Sequence, residues 1–144
     1  MATLFKFSEA ASLALHAMVL IAVRKGEVVK AREMSAAFRA SGAHMSKVCQ
    51  RLTRSGLLVA HRGVTGGFTL SRSAGRIRLY EVYEAIEGRV ELFPCLFRKR
   101  HCAGKSKHDC VFGKRIMGYE KDFLRYLKTT TIARVAATSD LGGL

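Results

Sequence analysis

Cys95, Cys102 and Cys110 lie within sixteen residues of one another, with six and seven residues between successive thiols. Three thiolates from one segment can hold one face of an iron–sulfur cluster and leave a fourth position to a ligand from elsewhere. Arg98, Lys99, Arg100, Lys105 and Lys107 run through the same segment. Their charge lowers thiol pKa values and offsets the negative charge of thiolate-bound metal. Two other chemistries suit these residues: zinc bound by three cysteines and a histidine, with His101 and His108 at hand, or a metal-free thiol switch. Cys49 stands apart. It falls on the apolar stripe of a helix, where a free cysteine packs as a small hydrophobe. His16, inside an apolar helix, reads as a packed histidine rather than a ligand.

A second set of residues points to nucleic acid. Met45, Val48, Cys49 and Leu52 recur at helical spacing, which predicts a helix over 44–54. Its other face carries His44, Ser46, Lys47, Gln50, Arg51 and Arg54. A shorter helix over 31–40 and the tight link Ser41-Gly42-Ala43 precede it, the layout of a helix-turn-helix. Two short alternating runs follow, 57–61 and 68–71, separated by Arg62-Gly63-Val64-Thr65-Gly66-Gly67. Glycines let such a loop approach phosphates closely, and an arginine in it can enter the narrow, electronegative minor groove. His44, Ser46, Lys47 and Arg51 are therefore the candidate major-groove contacts. Arg62, Thr65, Gly66 and Gly67 are the candidate minor-groove contacts.

These motifs together resemble the Rrf2 family of bacterial regulators, the group of IscR-, NsrR- and RirA-like proteins. The resemblance rests on Val48-x-x-x-Leu52-x-x-Ser55-Gly56-Leu57, on Arg62-Gly63-x-x-Gly66-Gly67-Phe68-x-Leu70, and on Ala85-Ile86-Glu87-Gly88 followed by a cysteine-bearing loop and a long helix. It implies a winged helix-turn-helix homodimer, paired through long C-terminal helices, that binds a palindromic operator in double-stranded DNA. Relatives that sense iron, iron–sulfur status or nitric oxide carry three cysteines in the same loop. Some of them complete the cluster with an acidic residue at the start of the first helix, supplied across the dimer, and Glu9 occupies that place. A first-turn carboxylate is also favoured there simply by the helix dipole. Two departures stand out. The cysteine spacings are wider than in those relatives, and Gly113 takes the position of a histidine ligand. The cluster type, 2Fe–2S or 4Fe–4S, stays open.

The elements that must position these groups are legible too. With 49% hydrophobic residues and a single proline in 144, the chain reads as a compact, mainly α protein with a small β-hairpin wing. Ser8 can cap a first helix reaching about Arg24, apolar nearly all round and so buried on several sides. A fourth helix is expected over 77–87. From about Phe112 a long helix follows, in which Ile116, Tyr119, Phe123 and Tyr126 form a narrow seam suited to a second copy, or else to packing within the chain. The organisation expected is a DNA-binding domain over 1–88, a sensor loop over 89–111, a dimerisation region over 112–137 and a flexible tail over 138–144.

Charge narrows the class. Lys and Arg number 25 against 11 Asp and Glu, a net of +14 that calls for a polyanionic partner. The most apolar run, Ala10–Val23, has 14 residues, short of the roughly 20 that span a bilayer, and it lacks the flanks of a signal peptide. A cytoplasmic protein with no membrane partner is expected. No phosphate-binding glycine loop, serine elbow or histidine–acid pair at a useful catalytic spacing is present, so no enzyme and no small-molecule substrate is expected. The reading is a homodimeric, sequence-specific transcriptional regulator, a repressor rather than an activator, responsive to iron–sulfur, redox or nitric oxide status. Its rivals are a cluster-free regulator of the same fold worked by thiols or a protein partner, and a small basic iron–sulfur electron carrier. The carrier would leave the helix pair and the wing without a purpose.

Overall fold

The computed structural model describes residues 7–92 and 111–139. Helix α1 (Glu9–Val23) starts where Ser8 Oγ accepts the Ala11 N–H at 3.0 Å. It is the hub of the protein, packed against three later helices. Ala11, Leu13, Ala14, Ala17, Met18, Val19, Leu20 and Ile21 are all buried, as an all-round apolar helix requires. His16 departs from expectation. It is exposed, with Nδ1 2.7 Å from the Ser12 carbonyl and its ring edge-on to Phe38, centroids 5.5 Å apart.

Helices α2 (Ala31–Ala37) and α3 (Gly42–Arg54) form the expected pair, with Met34 and Met45 fully buried. Helix α2 stops short of Ala40 because the chain turns at Arg39, whose φ is +50°. Strands β1 (Leu58–His61) and β2 (Gly67–Leu70) make an antiparallel hairpin in which Leu58 faces Leu70 and His61 faces Gly67. Val29 and Phe68 exchange both backbone hydrogen bonds, at 3.0 and 2.9 Å, so the α1–α2 connection lies along β2 like a third strand.

Helix α4 (Leu79–Glu87) begins two residues later than its sequence suggests. The reason is tertiary. The Ile77 carbonyl accepts the Ile132 N–H at 2.9 Å and the Leu79 N–H donates to the Thr130 carbonyl at 3.0 Å, so residues 77 and 78 are committed to pairing with a distant segment. The same pairing breaks the C-terminal region in two. Helix α5 (Val111–Thr129) ends at buried Thr130, and a short α6 (Ile132–Ala137) starts with Thr131 as its cap and packs on α1. Within the described residues no helix is long and apolar enough to cross a membrane.

Candidate nucleic-acid interface

Helix α3 sorts its residues cleanly. Ser41 caps it by accepting the His44 N–H at 3.0 Å, and Met45, Val48, Cys49 and Leu52 are at most 1% exposed. Lys47, Gln50 and Arg54 stand exposed on the other side, with Ser46 half-buried beside them. Burial pushes the Cys49 thiol up to about 11, against an ordinary 9.0, so this cysteine is a protonated core side chain.

Two of the predicted contact residues also hold the protein together. The Arg51 guanidinium donates to the Ile86 carbonyl at the C-terminal end of α4, where a cation is favoured by the helix dipole. It thus ties α3 to α4, a role that helical spacing alone does not reveal. His44 is half-buried, with Nδ1 3.6 Å from Glu9 Oε1. That pairing joins the start of the first helix to the start of the third. Glu9 itself is open to solvent, its side chain 73% exposed. Beside it, Ser8 Oγ donates to the Glu87 carboxylate, so α1 begins against the end of α4.

The wing stands next to α3, and its glycines have reasons internal to the protein. A Cβ at Gly67 would lie 2.6 Å from the Val29 carbonyl oxygen, and one at Gly66 would run into the His61 and Gly63 carbonyls. These two positions must be glycine for the hairpin to close on itself and on the α1–α2 connection. Arg62, Val64 and Thr65 are exposed. His61 Nε2 lies 2.8 Å from Thr69 Oγ1 across the strands. Lys30, which sequence patterning did not single out, donates from Nζ to the Val64 carbonyl at 3.3 Å and sets a further cation beside the loop. Nothing local in the sequence marks Lys30; only the backbone pairing of Val29 with Phe68 brings it there.

Cys95, Cys102 and Cys110 lie outside the described residues. Within the described residues no three His, Cys, Asp or Glu side chains converge on a metal position.

Residues 7–138 match the family described as Rrf2, iron-dependent transcriptional regulator. The chain belongs to the Rrf2 family. Among curated relatives, an HTH-type transcriptional regulator of Aquifex aeolicus is 22% identical over 126 residues, 88% of each chain. YwgB of Bacillus subtilis, also named as an HTH-type regulator, is 37% identical over 60 residues, 42% of this chain and 38% of its own. Among solved structures, CymR, the global cysteine regulator of B. subtilis, superposes with a TM-score of 0.75 at 20% identity, covering 95% of this chain and 100% of that one. T. potens IscR superposes with a TM-score of 0.70 at 19% identity, covering 97% and 92%. The helices and hairpin are thus those of a winged-helix Rrf2 regulator, and the family is one of transcription regulators rather than enzymes.

Proposed function

We propose that this Rrf2 protein is a homodimeric repressor that reads a palindromic operator through α3 and the wing and is switched by an iron–sulfur cluster. The observation that carries the DNA reading is the two-sidedness of α3: a fully buried apolar stripe, with Lys47, Gln50 and Arg54 exposed on the other side and a braced wing alongside. His44, Ser46, Lys47 and part of Arg51 would meet the major groove, and Arg62 with Thr65 to Gly67 the minor groove. Two such units on one duplex suit the excess charge of +14.

The dimer reading rests on α5 and its surroundings. Tyr119 and Tyr126 are 59% and 50% exposed, and an apolar groove of about 400 Å³ lies between α1, α5 and α6, lined in part by Phe7, Leu15, Val19, Phe123 and Tyr126. An exposed apolar groove beside a tyrosine ridge fits a second copy.

The sensor reading rests on the donor set. Three thiolates, Cys95, Cys102 and Cys110, with the solvent-open carboxylate of Glu9, suit iron–sulfur ligation, and the basic residues among the cysteines suit its charge. When bound, the cluster would supply redox and nitric oxide reactivity. The alternative is a regulator of the same fold without a cluster, in which the same three thiols form a redox switch.

The deciding experiment is anaerobic purification with visible absorption and iron and sulfide analysis, alongside gel-shift titration. Alanine at Cys95, Cys102 or Cys110 should abolish the chromophore, Cys49→Ala should keep it, and Glu9→Ala should lose it faster. Arg62→Ala should weaken DNA binding strongly with iron content unchanged. If all three loop variants hold iron like the parent, the thiol switch replaces the cluster.

A further inference from the structure

Val64 is the most exposed large hydrophobic residue described in the protein, at 95%, against 37–59% for the other four. The other four lie either against the hairpin or on the surface proposed above to meet a second copy. Val28 lies against Gly67, Val59 is on the outer side of β1, and Tyr119 and Tyr126 line the α5 surface. Val64 has no such partner, yet the loop that carries it is not loose. Its own carbonyl is held by Lys30 Nζ at 3.3 Å, the Gly66 N–H closes onto the Gly63 carbonyl at 3.0 Å, and the paired bonds of Val29 and Phe68 anchor the strand behind it. A β-branched side chain has few rotamers to lose on contact. The result is a stiff isopropyl group held out into solvent between cations, with Arg62 before it and Lys30 beneath it.

We propose that Val64 is a specificity-determining residue, an apolar probe of the minor-groove floor that rejects base pairs carrying an exocyclic amine there. The inference rests on the wing meeting the minor groove, as proposed above. An A·T pair presents only acceptors in that groove, whereas G·C adds the guanine N2 amine, a donor. Valine has no acceptor. Seated against the amine it strips away water and returns no hydrogen bond, which is costly for a donor. Against adenine the same methyl groups meet a C–H edge at no such cost. Arg62 and Lys30 meanwhile favour the stronger negative potential of narrow A·T tracts. Cations thus hold the wing in the groove, and Val64 selects the pair beneath it.

The test uses the full-length protein and a duplex selected by that protein from a random pool, with affinities read by fluorescence anisotropy at one fixed salt concentration. Each adenine flanking the half-sites is replaced in turn by 2,6-diaminopurine, which adds the minor-groove amine and leaves the major-groove edge intact. The wild type should lose about tenfold in affinity at one symmetric pair of positions. Val64→Ser should lose less than about twofold there, since its hydroxyl can accept from the amine. Val64→Asn, with an amide oxygen to offer, should bind the modified duplex at least as well as the adenine one. Tolerance of diaminopurine at every position by the wild type, or a penalty that survives in both variants, overturns the proposal. Arg62→Ala separates this from the wing reading itself. If Arg62→Ala binds every duplex like the parent, the wing is not in the groove; if it binds all of them weakly and Val64 makes no difference, only the selectivity of Val64 is lost.

Discussion

Helices α3 and α5 are both amphipathic, yet they are finished to different degrees. In thirteen residues α3 sends four side chains into the core at 1% exposure or less. In nineteen residues α5 has one fully buried hydrophobic side chain among the described residues, Leu127, while Tyr119 and Tyr126 remain half exposed. Its seam is also split. Phe123 turns inward to an edge contact with Phe7 at 5.6 Å, while Tyr126 stacks on Phe123 from outside at 6.3 Å. Helix α3 is completed by its own chain and has only a polar face to offer. Helix α5 keeps apolar surface unsatisfied, which is the condition for a second copy to matter.

The largest effect expected from that contrast is in the fold itself. Leu52→Ala should destabilise the protein by about 2–5 kcal/mol, because a fully buried leucine leaves a cavity, whereas Tyr126→Ala should cost the isolated chain under about 1 kcal/mol. Urea unfolding of both variants checks this, and equal losses would erase the distinction. The reverse is expected for association. Tyr119→Asp with Tyr126→Asp should raise the dimer dissociation constant roughly 100-fold while Leu52→Ala leaves it nearly unchanged. Sedimentation velocity showing an intact dimer for the tyrosine pair would remove α5 from the interface.

A third expectation concerns Cys49, the cysteine sealed under α3. Burial raises its thiol from the ordinary 9.0 to about 11 in the folded protein. A raised folded value means that the stabilisation is complete below pH 9 and is lost as the pH climbs through 11. Urea unfolding at pH 8 and pH 10.5 should show the wild type losing on the order of 2 kcal/mol more than Cys49→Ala. Maleimide at pH 8 should also leave Cys49 unmodified in the folded protein and label it once urea unfolds the chain. The smallest effect belongs to the cap. Ser41→Ala should cost about 1 kcal/mol, since it frees the His44 N–H at the start of α3. It should weaken operator binding only as far as the helix start frays.

What the sequence determined by itself was periodic or local. The apolar stripe of α3, the all-round apolarity of α1, the Ser8 and Ser41 caps and the glycine-bearing wing each depend on residues a few positions apart, and each stands where its pattern puts it. The cysteine cluster was equally plain as spacing, though its residues fall outside those described. Tertiary structure decided whatever depends on a partner far along the chain. Arg51 lies on the polar side of α3 by spacing, but the Ile86 carbonyl, 35 residues on, claims its guanidinium. Lys30 becomes part of the wing only because Val29 pairs with Phe68. Ile77 looks helical until Ile132 takes its carbonyl, and the same pairing divides α5 from α6. Gly67 reads as a phosphate-approaching glycine, yet the backbone it must clear is Val29 of its own chain. The physical reason is common to all four. Helical and strand periodicity follow from local backbone geometry, whereas a free carbonyl, a close approach or a guanidinium's choice of acceptor is settled by which segments the core brings together.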